Sequence, residues 1–140
     1  MRVPTRALFF TTLCLVGLPA FAQAKLTGKV THQIGGAVGR LPETRPLGGA
    51  TVLIGKDLHL DIGATGTDKV RGRVLAKDLS EGNGSYAFSV PAGTYTVICW
   101  KQGYVPQVER NVKVPGSSLD LDIGKDTAGR GLHQTIAYGN

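Results

Sequence analysis

The chain has 140 residues, 41% of them hydrophobic and only 6% aromatic, with 20 glycines and 16 basic against 10 acidic side chains. That is enough for one small globular domain and excludes a multidomain enzyme. Two cysteines are too few to staple a miniprotein, and the apolar fraction is too high for a disordered tail.

Residues 1 to 24 have the pattern of a secretory signal peptide. Arg2 and Arg6 precede the apolar run Ala7 to Leu18, and small residues then recur at alternate positions in Ala20-Phe21-Ala22-Gln23-Ala24. Cleavage after Ala24 is preferred, cleavage after Ala22 is the competing site, and residues 25 to 140 are expected to form a single domain. The run is shorter than the roughly 20 apolar residues of a membrane span, so no membrane anchor is expected. Leu13 ahead of Cys14 removes the small residue that a lipoprotein peptidase needs, and Arg2 and Arg6 are not adjacent as a twin-arginine signal requires. Losing the leader removes two arginines and no carboxylate, which lowers the net charge from +6 to +4. The remaining charges are scattered, so no nucleic-acid site is expected. Cys14 leaves with the leader, and Cys99 becomes a lone thiol in an oxidising compartment, unable to form an internal disulfide. A mature domain periplasmic or secreted in location, held by packing alone, follows.

Beyond Lys25 short β-branched and aromatic runs alternate with Gly, Pro and Asn, and no segment keeps helical spacing; the domain reads as all-β. Strands are expected near Lys25 to His32, Ala50 to Ile54, Asp57 to Ile62, Lys69 to Asp78, Ser85 to Val90, Gly93 to Trp100, Val108 to Val114 and Leu119 to Ile123. Residues 33 to 49 read as a connection, because Gly35-Gly36, Pro42, Pro46 and Gly48-Gly49 break ladders. Residues 124 to 140 hold either an edge strand around Leu132 to Tyr138 or a loose tail. Asp57, His59 and Asp61 alternate with Leu58, Leu60 and Ile62, as Lys69, Arg71 and Arg73 do with Val70, Gly72 and Val74. An antiparallel hairpin through Gly63 to Asp68 would set Asp61 opposite Lys69 and Asp57 opposite Arg73 and stack both apolar faces. Asn83-Gly84 suits a type I′ turn joining Leu75 to Leu79 with Tyr86 to Val90. In the strand that follows Pro91-Ala92-Gly93, Tyr95, Val97 and Cys99 share the core face, while Thr96, Ile98 and Trp100 share the other.

Chemistry-bearing residues are sparse. Asp57-x-His59-x-Asp61 offers metal-ligand types on one strand face, but alternate residues stand about 6.5 to 7 Å apart, too far for one ion, and ion pairing with Lys69 and Arg73 is the preferred role. His32 and His133 are isolated in sequence. Gly-x-Ser-x-Gly, Gly-x-Gly-x-x-Gly and a Walker loop are all missing. Cys99 lies in an apolar strand and reads as a buried structural thiol. No catalytic residue, metal ligand or cofactor is therefore assigned. Trp100, the only tryptophan, lies with Tyr104 nearby, and the two are the candidate contacts for a sugar ring or a partner side chain; the alternative, which the scarcity of other aromatics favours, is that Trp100 packs under a loop or the carboxy-terminal tail.

Leu47-Gly48-Gly49-Ala50-Thr51-Val52, then Gly84-Ser85-Tyr86-Ala87-Phe88-Ser89-Val90-Pro91-Ala92-Gly93-Thr94-Tyr95-Thr96-Val97, then Gly103-Tyr104, resemble the carboxypeptidase regulatory-like family, and Leu26-Thr27-Gly28-Lys29-Val30 is similar to its first strand. The resemblance implies a transthyretin-like, seven-stranded Greek-key β-sandwich acting as a non-catalytic accessory module. Here the segment Lys56 to Arg73 would be an extra β-hairpin insertion. A transthyretin-like hydrolase is also known, but its carboxy-terminal Tyr-Arg-Gly-Ser is replaced by Tyr138-Gly139-Asn140. The function expected is binding or bracing of an envelope protein or glycan; the alternative, a small hydrolase or metal-dependent enzyme, needs two of His32, His59, His133 and Cys99 beside a carboxylate. Intact-mass measurement of protein recovered after export should give a chain starting at Lys25, or at Gln23 if the competing site is used; an uncleaved amino terminus would refute the leader.

Overall fold

The computed structural model describes residues 23–61, 68–125 and 136–138. The expected signal segment up to residue 22, the loop at 62–67 and His133 lie outside the described residues. Among the described residues there are nine strands and no helix, hence none long and apolar enough to cross a membrane. The strands are β1 (Gln23–Ile34), β2 (Glu43–Pro46), β3 (Thr51–Asp61), β4 (Asp68–Leu79), β5 (Ser85–Pro91), β6 (Gly93–Trp100), β7 (Gln107–Val114), β8 (Leu121–Asp122) and β9 (Ile136–Tyr138).

Two sheets result. In the first, β1 pairs antiparallel with β5 along Gln23 to Lys29 and with β2 along Thr31 to Ile34, and parallel with β8. The second runs β7-β6-β3-β4-β9, antiparallel except for β4 with β9. Period-two alternation turns one row of each sheet inward. Leu26 and Val30 of β1, Tyr86, Phe88 and Val90 of β5, and Leu121 of β8 meet Val52 and Ile54 of β3, Tyr95, Val97 and Cys99 of β6 and Val114 of β7 in one core. Two sheets facing each other across such a core make a β-sandwich. Each fully buried aliphatic or aromatic side chain contributes about 1.5 to 3 kcal/mol.

Four sequence expectations need correction. First, β2 lies inside the segment read as a connection; Pro46 is tolerated because it ends a short strand, where a missing donor costs little. β8 falls within the strand expected at Leu119 to Ile123, and β9 within the edge strand expected around Leu132 to Tyr138. Second, Ala50 to Ile54 and Asp57 to Ile62 are not separate strands, and no independent hairpin is inserted. They form one long β3 paired throughout with β4, bent by bulges between Ile54 and Gly55 and between Lys56 and His59. Asp57 takes a φ of 52° at the second bulge. Third, the charge register holds only in part. Asp61 faces Lys69 and His59 faces Arg71, as the expected register requires, but the bulge sets Lys56 in place of Asp57 opposite Arg73. Asp61 then forms its ion pair with Arg71.

Fourth, the Asn83-Gly84 turn does not join paired strands. The Ser80 N–H still donates to Ala50 C=O in the second sheet, at 2.8 Å, whereas β5 belongs to the first. The chain changes sheets in between, through a tight turn in which Gly84 N–H donates to Glu81 C=O at 2.7 Å. Of Asn83 and Gly84, only Gly84 takes a positive φ, 84°, so this is not a type I′ turn. The buried Ser80 hydroxyl secures the crossing by donating to Leu47 C=O at 2.7 Å and accepting from Ala50 N–H at 2.9 Å.

The alternation along β6 is as expected, but its second face is also buried. Ile98 and Trp100 pack with Leu53, Leu58 and Val70 into a second apolar cluster on the far side of the sheet, flanked by Leu60, Val74 and Val108. Leu58, beyond the bend in β3, packs in the same cluster as Leu53, so this part of the sheet's outer face is buried while Leu75 and Leu79 of β4 stay exposed. Because Trp100 fills that cluster, Trp100→Ala should lower unfolding free energy by about 3 to 5 kcal/mol in chemical denaturation. A loss below about 1 kcal/mol would show that the cluster is not packed as described.

Candidate functional site

Trp100 and Tyr104, the two expected contact residues, do not form one exposed aromatic platform. Trp100 is only 6% exposed, within the second cluster, whereas half-buried Tyr104 packs against the core between the sheets. The reason is the alternation of β6, which sends residue 100 outward from the core, followed by a turn in which Tyr104 N–H donates to Lys101 C=O. Tyr104 bridges to Lys125 and meets His32 edge-on, with ring centroids 5.7 Å apart and its hydroxyl 3.4 Å from Nδ1. A small half-buried His32–Tyr104 pair thus sits beside the β1–β2 hairpin. No sequence signal joined two residues so far apart in the chain.

The remaining reactive groups are dispersed. His59 is exposed on β3 opposite Arg71, with Asp57 and Asp61 exposed on either side. Among the described residues no three His, Cys, Asp or Glu side chains gather as a metal site would require. Cys99 is fully buried and free between the sheets, and desolvation pushes its thiol up from an ordinary value of 9.0 to about 12. It is neither accessible nor ionised at neutral pH, so it lacks both requirements of a nucleophile.

One cleft of about 380 Å³ was not anticipated. Its walls come from β1, at Thr27 and Lys29, from β5, at Ser85 and Ala87, and from the sheet crossing, at Asp78 and Glu81. Both carboxylates are already engaged. Asp78 accepts from the N–H groups of Leu79 and Ala87, each at 2.9 Å, and Glu81 accepts from the Ser85 hydroxyl at 3.3 Å. Asp78 therefore caps the free edge of β5 where another strand would otherwise pair. At the cleft wall the buried Tyr86 hydroxyl donates to Leu119 C=O, and Gly28 leaves room for that bond: a Cβ there would lie 1.8 Å from the same oxygen. Hydroxyls and occupied carboxylates suit a polar ligand held by hydrogen bonds; the cleft has no imidazole or thiol with which to transform it.

No family model matches the chain, and no curated protein matches it. Among solved structures the chain is similar to a minor pilin of the Gram-positive pathogen Streptococcus agalactiae, with 12% sequence identity and a TM-score of 0.47 over 74% of this chain and 45% of the pilin. The chain spans less than half the length of that protein.

The buried Cys99 and Tyr86 give a signed pH dependence. Both hold their protons more tightly folded than unfolded, Cys99 through desolvation and Tyr86 chiefly through desolvation with smaller contributions from Cys99 and Asp120. The contribution of Cys99 is complete below its unfolded value of 9.0 and is lost as pH rises toward about 12, and that of Tyr86 is lost at still higher pH. Denaturation midpoints should fall over that interval, and less steeply in Cys99→Val. The native thiol should ignore aromatic disulfide reagents at neutral pH and react on unfolding; rapid native labelling would refute the burial.

Proposed function

We propose that the chain is a non-catalytic exported module of the transthyretin-like, carboxypeptidase regulatory-like type, which serves an envelope protein or glycan in a binding or structural accessory role. The β-sandwich is compatible with the seven-stranded Greek-key plan of that family, with β2 and β9 as short additions. The reading places the mature domain in the periplasm or outside the cell.

The observation that carries it is the dispersal of the reactive side chains among the described residues. Cys99 is sealed between the sheets, His32 lies against Tyr104 at the side of β1, and His59 stands in solvent on the bent β3–β4 pair. General acid–base or nucleophilic catalysis requires such groups within hydrogen-bonding reach of one another and of a substrate. The cleft beside β5, whose carboxylates and serine and tyrosine hydroxyls are already engaged, is furnished for holding rather than for reacting.

The test uses the exported protein, immobilised and exposed to its own envelope fraction. A defined protein or glycan should be retained, with retention unchanged by a chelator and by His32→Ala, His59→Ala or Cys99→Val. A hydrolytic activity that any of these substitutions abolishes would replace the accessory reading with the enzymatic one.

A further inference from the structure

Among the described residues the two most exposed large hydrophobic side chains lie together at the tip of the β1–β2 hairpin, while Leu79 and Leu75 on β4 are exposed to 54% and 39%. Val38 is 106% exposed, Leu41 93% and Ile34 37%. The last pair of the hairpin is Ile34 with Glu43, and the chain between them projects beyond the sandwich. At its apex Arg40 N–H donates to Ala37 C=O at 2.9 Å, which puts Val38 and Gly39 at the two central positions of a tight turn. Gly39 has a φ of 88°, the value a type II turn needs there. The tip touches no other part of the molecule at its glycines: side-chain positions built at Gly35, Gly36 and Gly39 have nothing within 4 Å. Neither aliphatic residue therefore supports the fold, and each leaves a full apolar side chain in water.

The charge around the tip has one sign. From Gln33 to Pro42 the only ionic side chain is Arg40, between Val38 and Leu41, and no carboxylate occurs. At the base Arg45 is balanced by Glu43 at 3.2 Å. The result is a convex, narrow, aliphatic projection with a single uncompensated guanidinium just behind its apex.

We infer that this tip is a membrane-contact loop, which dips Val38 and Leu41 beneath the headgroups of an anionic lipid surface while Arg40 engages lipid phosphate. Convexity and composition select lipid over protein. Protein hot spots are typically aromatic or arginine anchors seated in a pocket and ringed by polar contacts, whereas this tip offers two aliphatic side chains and no surrounding surface. A bilayer interface accepts isolated aliphatic groups without a preformed pocket, and a long cationic side chain reaches back from the apolar layer to the phosphates. Anionic leaflets attract such a cation electrostatically. Two side chains and one charge make a weak, reversible contact that orients the module on a membrane without anchoring it. The contact does not depend on which protein or glycan the module serves.

Co-sedimentation of the exported, leader-free protein with vesicles tests this, using phosphatidylcholine alone and phosphatidylcholine mixed with phosphatidylglycerol in equal parts. The mixed vesicles should retain the protein, and the double substitution Val38→Asp with Leu41→Asp should reduce retention at least tenfold. Arg40→Gln should reduce retention several-fold on the mixed vesicles and leave the weak binding to phosphatidylcholine unchanged. Because the tip supports nothing, all three substitutions should leave the denaturation midpoint in place. A polarity-sensitive dye on Val38→Cys should shift to the blue on mixed vesicles, and buried Cys99 should not compete for the label. The inference fails if wild-type protein stays in the supernatant, if the double variant sediments as well as wild type, or if the tip substitutions abolish capture of an envelope protein in lipid-free solution while vesicle retention is unaffected.

Discussion

The structure depends on β6 being buried on both faces. Every side chain from Tyr95 to Trp100 is buried, yet only the odd-numbered ones before Trp100's turn outward face the other sheet: Tyr95, Val97 and Cys99 enter the core between the sheets, while Ile98 and Trp100 enter the second cluster. A strand at the middle of a sandwich ordinarily turns one row to solvent. Here the second row needs a cover, and the bent β3–β4 pair contributes Leu58 and Val70 to it. Burying both rows of one short strand removes more apolar surface from water than a single-faced strand could, which matters in a domain whose one described cysteine is free.

That requirement explains the irregularities around it. The bulges in β3 and the positive φ at Asp57 break the ladder locally, but they also increase twist and re-aim the side chains that follow. Leu58 is thereby fully buried while Asp57 and His59 on either side of it stay in water. The charged residues of this region are consequences of that geometry. Asp61 reaches Arg71 across the strands in an exposed pair, which adds little to stability. The same burial accounts for the chemistry: the Cys99 thiol, which the sequence places in an apolar strand, serves the packing as a small apolar group.

The sheet crossing shows a second use of polar groups. Ser80, Asp78 and Glu81 lie where the chain leaves one sheet for the other, and each satisfies backbone or side-chain donors that a continuous ladder would have paired. Asp78 in particular occupies the Ala87 N–H at the open edge of β5, which discourages a further strand from adding there. By contrast the β1–β2 tip is unconstrained by packing, and its exposed aliphatic residues need a reason outside the fold.

Much was legible before any tertiary information. The all-β class follows from short β-branched runs between Gly, Pro and Asn, and the face assignment of Tyr95, Val97 and Cys99 against Ile98 and Trp100 follows from period two alone. Asp61 opposite Lys69 was also readable from the alternation of charged and apolar residues in the two strands. What alternation cannot reveal is which strand lies beside which, or whether the outward row meets water. The Asn83-Gly84 signal marks a turn but not whether its two arms stay in one sheet, and Pro46 marks a missing donor but not that its strand sits at an edge. Trp100 was legible as facing away from the core between the sheets; that a second cluster awaited it there was decided by the bend in β3, a contact between residues some forty positions apart. Local pattern determines the two faces of each strand because side-chain direction is a property of the backbone at that residue, whereas exposure is a property of what the rest of the chain brings to that face.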